Sequence, residues 1–235
     1  ISVTDVNESP SVTSGSTASF AENGTGTVYT AIATDPDAGT TLSYSISGTD
    51  AALFNINSST GVITFKTSPN YESPSDAGSD NVYNITVTAS DGTLTNSKAV
   101  AITVTNVNET PTDIALSSSS VAENQSSGTT VGTFSTTDPD TGNTFTYTLV
   151  SGTGDTDNAS FTIESGVLKT AASFDYETKS SYSIRVRSTD QGGLSTDKTF
   201  TISVTDVNES PSVTSGSTAS FAENGTGTEI GRAHV

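Results

Sequence analysis

The first twenty-seven residues of the chain, ISVTDVNESPSVTSGSTASFAENGTGT, recur unchanged at Ile202–Thr228. A divergent version lies between them, from Thr103 to Thr129, so the landmark V-N-E-x-P falls at Val6, Val107 and Val207. That spacing, near 100 residues, is the size of one small domain. Self-similarity of this length means a tandem array rather than a single globule. An array builds surface by repetition and points only weakly to a catalyst.

Two whole units span 10–109 and 110–209. Residues 1–9 read as the last strand and linker of a preceding repeat, and 210–228 as the truncated start of a third. The linkers V-N-E-S-P and V-N-E-T-P end in proline, which locks φ and restricts the residue before it, so a defined joint is expected. Repeat identity stops at Thr228, and residues 229–235 resemble a translated sequencing adapter; His234, the only histidine, is set aside with them. The chain opens without Met inside a strand-like run and reads as an internal fragment. No apolar run approaches the roughly 20 residues of a membrane span.

Strand patterns dominate. Tyr83, Ile85, Val87 and Ala89 alternate with Asn84, Thr86, Thr88 and Ser90, and Val100, Ile102 and Val104 with Ala101, Thr103 and Thr105. Tyr182, Ile184 and Val186, then Phe200, Ile202 and Val204, repeat the pattern in the second unit. A period of two rich in Val, Ile, Thr and Tyr is a strand with one buried face. Turn residues interrupt these runs at short intervals, and no convincing helix appears. The expected fold is all-β: tandem antiparallel sandwiches of the immunoglobulin-like class, about seven strands each, joined end to end. Tyr83, Ile85, Val100, Ile102, Tyr182, Ile184, Phe200 and Ile202 are expected to be buried.

The chain carries 26 acidic and 8 basic residues, net −18. Such a charge repels nucleic acid, which is held through Lys and Arg contacts to phosphate, and it opposes compaction unless cations neutralise it. Zero Cys excludes a disulfide framework and a thiol nucleophile. With no native histidine, Ser-His-Asp catalysis is excluded too, and the chain is read as a non-enzyme.

Many of the acids sit at recurring landmarks. These are Glu22, Glu123 and Glu223 in A-E-N; Asp35-Pro-Asp37 with Gly39, and Asp138-Pro-Asp140 with Gly142 and Asn143; Asn70-Tyr-Glu72 and Asp175-Tyr-Glu177; Asp91 and Asp190; and Asn7-Glu8, Asn108-Glu109 and Asn208-Glu209. Ca²⁺ takes 6–8 oxygen ligands from carboxylates, amides and carbonyls. D-x-D offers two carboxylates from one tight turn, and soft ligands for zinc or copper are missing. A single Asp here would be an ordinary turn former; an ordered recurring set is a cation signature. Asp76 and Asp80, in the insert S-P-S-D-A-G-S-D-N, read mainly as a solvated acidic loop, with an extra cation site as the alternative.

A-E-N, D-P-D-x-G, D-Y-E, D-x-G and D-V-N-E-x-P together resemble the calcium motifs of cadherin repeats, in the form common in bacterial surface proteins. The resemblance covers residues 1–228. It implies ions held between successive repeats. The complete junction would use Glu22, Asn70, Glu72, Asn108, Glu109, Asp138, Asp140, Asn143 and Asp190, with carbonyls of Val107 and Thr110. The preceding junction would keep Asn7, Asp35, Asp37 and Asp91, and the following one Glu123, Asp175, Glu177, Asn208 and Glu209. Asn70 and Asn106 stand where the family has Asp, Glu109 is one methylene longer than the family's Asp, and Thr40 replaces an Asn. About two or three ions per complete junction, bound more weakly than in animal cadherins, are therefore expected.

The expected function is a calcium-stiffened spacer or adhesive stalk of a bacterial surface or secreted adhesin. Its partners would be Ca²⁺, neighbouring repeats, and a cell-surface protein or polysaccharide. The alternatives are a polysaccharide-binding module and the stalk of a large secreted enzyme. A saccharide platform needs exposed aromatics; Trp is absent, and most Tyr and Phe fall on apolar strand positions.

Overall fold

The computed structural model describes Ser2 and residues 4–212. The expectations for 213–235, including the adapter-like tail and the truncated repeat, lie outside the described residues. The chain divides into two compact units, Ile1–Thr110 with Asp138–Asn143, and Pro111–Thr137 with Thr144–Val235.

The first unit contains β1 (Ser11–Val12), β2 (Thr17–Ala21), β3 (Thr27–Thr30), β4 (Ala33–Thr34), β5 (Ser43–Ser47), β6 (Phe54–Ile56), β7 (Val62–Phe65), β8 (Val82–Ser90) and β9 (Thr95–Thr105). The second contains β10 (Asp113–Leu116), β11 (Ser120–Ala122), β12 (Thr130–Thr137), β13 (Phe145–Leu149), β14 (Phe161–Glu164), β15 (Val167–Thr170), β16 (Ser181–Asp190) and β17 (Ser195–Thr205). β1–β2 and β3–β4 are each one strand interrupted once, as is β10–β11. Nine segments less two breaks, and eight less one, both give seven strands. Helix is confined among the described residues to two short 3₁₀ turns, Ala51–Leu53 and Asn158–Ser160.

Each unit is a sandwich. One sheet runs β2-β9-β8-β5 in the first unit and β11-β17-β16-β13 in the second. The facing sheet is β3-β7-β6, extended by the β1-β4 pair, in the first unit, and β10-β12-β15-β14 in the second. The opening strand changes sheets at a Ser-rich bend: β10 pairs with β12, then β11 pairs with β17 across Ser117–Ser119.

Most pairings are antiparallel, but β2 on β9 and β11 on β17 are parallel. The reason is parity. Seven alternating strands make the first and last run the same way, and the sheet switch sets them side by side.

The alternation in β8 and β9 fills the first core: Tyr83, Ile85, Val87, Val100 and Ile102 are all buried, against Phe54 and Ile63 from the other sheet. Phe65 meets Tyr83 edge-on at 5.0 Å, a favoured aromatic geometry. Ile184, Val186, Ile202 and Val204 do the same in the second core, with Phe161 and Leu168. Tyr182 and Phe200 are only half-buried, contrary to expectation. Phe200 stands where the first unit has the fully enclosed Val100, and the larger ring overruns that space under Lys198. Tyr182 lies at the start of β16, stacked on Phe174 at 4.3 Å with Lys179 over its ring.

Gly61 closes the β6–β7 turn at φ 69°, and a Cβ there would lie 2.3 Å from the Ala31 carbonyl oxygen. Only glycine fits that approach.

Candidate metal centre

Glu22 follows the end of β2 and is buried. Both of its oxygens are engaged: Val107 donates its backbone N–H to Oε1 at 2.9 Å and Tyr71 donates to Oε2 at 2.7 Å. Glu123 repeats this, accepting from Val207 and Tyr176, both at 2.8 Å. Those N–H groups hold the Glu123 carboxyl below the ordinary carboxylate range. The A-E-N glutamate thus ties three separate stretches of chain together.

Beside Glu22 stand Glu72 and Glu109, with one carboxylate oxygen from each of the three within 4.8 Å of the others. Burial pushes the Glu72 carboxyl up, and the charges of Glu22 and Glu109 add to the rise. Glu109 donates its backbone N–H to Oδ2 of Asp140 at 2.7 Å, and Asp140 donates its own to Oδ1 of Asp138 at 2.9 Å. The D-P-D motif is therefore a closed Asx turn capped by the linker. The earlier copy matches: Asp37 donates to Asp35 at 2.9 Å and Glu8 donates to Asp37 at 3.0 Å.

These turns leave acceptors over. Asp35 Oδ2, Glu72 Oε2, Glu109 Oε2, Asp138 Oδ2 and Asp140 Oδ1 are shielded from solvent and accept no hydrogen bond. Buried carboxylate oxygens without a donor are costly. An all-oxygen set of this kind fits a hard divalent cation, so the residues present suit Ca²⁺.

Other expected ligands distribute as follows. Asn7 donates Nδ2 to Oδ2 of Asp91 at 2.8 Å. Asp91 also accepts from Leu94 and Thr93, and these donors lower its pKa. Glu123, Glu177 and Glu209 come together with Asp206. The Glu177 carboxyl, stabilised by its own backbone N–H, is still driven up by burial and by Glu123, Glu209 and Asp206. Asp190 is buried at the end of β16, where its Oδ1 accepts from Leu194 at 2.9 Å. Asn108 and Asn143 both have interaction partners, while Asn208 is exposed. Asn70 and Asp175 cap turns, accepting from Ser73 at 2.7 Å and Thr178 at 3.1 Å, and Asp175 stays outside the Glu123 group.

The linker acid Asp5 and the landmark Glu8 join Asp37 in a third carboxylate group. Other roles escaped sequence reading. Asn23 and Asn124, the last residues of A-E-N, adopt φ 57° and 60° and donate Nδ2 to Oε1 of Glu109 and Glu209 at 2.7 and 2.5 Å. Asp50 and Asp157 are near-buried anchors. Asp50 accepts from Ala77 at 2.8 Å and Asn84 at 2.7 Å; Asp157 accepts from Ser183 at 2.8 Å and pairs with Lys179. The available signal was a repeated T-D-x-x-x-F, at Thr49–Phe54 and Thr156–Phe161. In the insert, Asp76 accepts the backbone N–H groups of Asp80 and Asn81, at 3.2 and 3.1 Å, and is a loop organiser.

A tandem array of seven-stranded sandwiches with carboxylates gathered beside prolyl linkers is the class these features define. The chain belongs to the cadherin family: the cadherin domain matches residues 16–107 and 117–205. It is similar to Protein dachsous of Drosophila melanogaster, 32% identical over 224 residues, covering 88% of this chain and 6% of that protein. It is also similar to Protocadherin gamma-A4 of Homo sapiens, 34% identical over 199 residues, covering 78% of this chain and 20% of that one. The chain therefore spans a small part of these relatives. Among solved structures, human Protocadherin-24 EC1-2 superposes with a TM-score of 0.67 at 20% identity, over 86% of this chain and 100% of that one, which shows the fold. The Protocadherin GammaB4 extracellular domain gives 0.65 at 28% identity, over 91% and 35%.

Proposed function

We propose that this chain is a calcium-binding, extracellular adhesion-type repeat array, serving as a spacer or adhesive stalk of a surface or secreted protein. The observation that carries this is the set of shielded, donor-less oxygens on Glu72, Glu109, Asp138 and Asp140. Glu22, Glu72, Glu109, Asp138 and Asp140 would hold the ion, with Asn70, Asn108, Asn143 and the Val107 carbonyl completing the shell as the family resemblance implies. Bound Ca²⁺ would supply positive charge against the burial, and then the Glu22 and Glu109 charges, that raise the Glu72 pKa. The chain's own residues do the positioning: Val107 and Tyr71 fix Glu22, and the Glu109 N–H fixes Asp140. The sheet faces offer no stacking platform for a polysaccharide among the described residues, since the exposed aromatics Tyr71 and Tyr176 lie in loops.

Thermal melting of the full chain with millimolar Ca²⁺, with Mg²⁺ and with chelator tests the reading. A ligand confined to the folded state adds about 2.7 kcal/mol at a hundred times Kd, so the midpoint should rise clearly in Ca²⁺. Mg²⁺, which demands near-octahedral geometry, should raise it less. Small-angle scattering should show a narrower spread of dimensions in Ca²⁺. Identical melting and scattering in Ca²⁺ and chelator would leave a plain sandwich stalk.

A further inference from the structure

We infer that Asn23 is a positioning residue for cation binding: by holding one oxygen of Glu109, it presents the other as a fixed single-oxygen ligand. This rests on the calcium reading above. Asn23 donates Nδ2 to Glu109 Oε1 at 2.7 Å, while Oε2 of the same carboxylate is shielded and accepts nothing. The backbone of Asn23 is held as well, its N–H donating to the Pro69 carbonyl at 2.9 Å. Its φ of 57° lies in the left-handed region, which Asn tolerates better than most side chains. The tether, though not the shielded second oxygen, occurs twice. Asn124, at φ 60°, donates to Glu209 Oε1 at 2.5 Å and ties its own N–H to the Phe174 carbonyl at 2.9 Å.

The physical need for a tether follows from length. Glu has one more rotatable bond than Asp, so an untethered linker glutamate loses more freedom when it binds an ion. A neutral amide donor can fix one oxygen without adding charge to a region that already repels itself. Asn23 thereby offsets the extra methylene of Glu109 and sets which oxygen faces the ion.

The test is a double-mutant cycle in the full chain, using Asn23→Gly, Glu109→Asp and both together. Glycine accepts the positive φ, so the first change removes the amide while keeping the turn. Ca²⁺ is titrated and followed by NMR at the backbone amides of Tyr71 and Val107, which report this cluster alone; melting in chelator is recorded beside it. Asn23→Gly should weaken Ca²⁺ binding about three- to tenfold, corresponding to the ordering cost above. With Glu109→Asp in place, whose shorter side chain withdraws from the amide, adding Asn23→Gly should change the affinity little. An equal loss in both backgrounds, or none in either, would overturn the role of Asn23 while leaving the calcium site standing. No Ca²⁺-dependent shift in the unmutated chain would overturn both. Should Asn23→Gly lower the chelator midpoint sharply, Asn23→Ser, which also shortens the side chain, must give the same cycle for the assignment to stand.

Discussion

Val107 donates its backbone N–H to Oε1 of Glu22 at 2.9 Å, a bond between the end of an early strand and a linker 85 residues away. Together with the Tyr71 N–H on Oε2 it gives the A-E-N glutamate a structural task separate from any ion. Glu22→Ala strands two N–H groups, each costing about 1–3 kcal/mol if left unpaired. It should therefore lower the melting midpoint in chelator as well as in Ca²⁺. An unchanged chelator midpoint would assign Glu22 to the ion alone.

Glu72 should behave oppositely. Its pKa is raised in the folded state, by burial first and then by Glu22 and Glu109. A carboxyl raised on folding opposes stability when ionised, and the penalty is relieved as pH falls through the raised value, above 4.5. Glu72→Gln should raise the chelator midpoint at pH 7 and shrink the Ca²⁺ response. The raised Glu177 carboxyl gives the same sign for Glu177→Gln. Scanning calorimetry at pH 7 and pH 5 checks both, since the benefit should fade at the lower pH.

Asp197 carries the contrary pH signature. Its hydrogen bonds from Arg187 and Arg185 outweigh burial and depress its pKa from 3.8 to about 2. A carboxyl depressed on folding stabilises above its unfolded pKa, and that contribution is lost as pH falls through the folded value. The shift corresponds to about 2 kcal/mol; with the Arg187 side chain 45% exposed, solvent screening reduces the expected effect to about 1 kcal/mol. Asp197→Asn should lower the midpoint at pH 7, and the gap from the unmutated chain should close between pH 4 and pH 2.

Asp157 and Asp50 offer a paired comparison. Asp157→Asn removes the partner of Lys179 and leaves the amide to face either that ammonium or the Ser183 N–H. Asp50→Asn faces only backbone donors, from Ala77 and Asn84. Both should cost about 1–3 kcal/mol. Only the Asp157 variant should show a cost that depends on salt, because an exposed ammonium is screened. Melting at low and high ionic strength separates them.

Period-two alternation made β8, β9, β16 and β17 readable, because a half-buried strand writes its two faces directly into residue order. The D-P-D turns were readable for a related reason: Asx turns are local, so residue type and spacing nearly determine them. Asn23 was not. Its partner, Glu109, is 86 residues away, and nothing local distinguishes an asparagine that caps a turn from one that also holds a distant carboxylate. The parallel β2–β9 pair was hidden because pairing direction belongs to chain path. Phe200 was misjudged since alternation gives the direction of a side chain but not the volume waiting for it.

The parallel register of β2 on β9, Thr17 against Ala101 through Ala21 against Thr105, has a mechanical corollary. Entry and exit strands that run side by side in one direction cannot be peeled apart one rung at a time when a unit is pulled by its two ends. Tension slides them past each other and loads the rungs together in shear. In an array exposed to flow, once β1 is freed from β4 the load would fall on the pair β2 on β9, and β11 on β17 repeats that clasp behind β10 in the second unit.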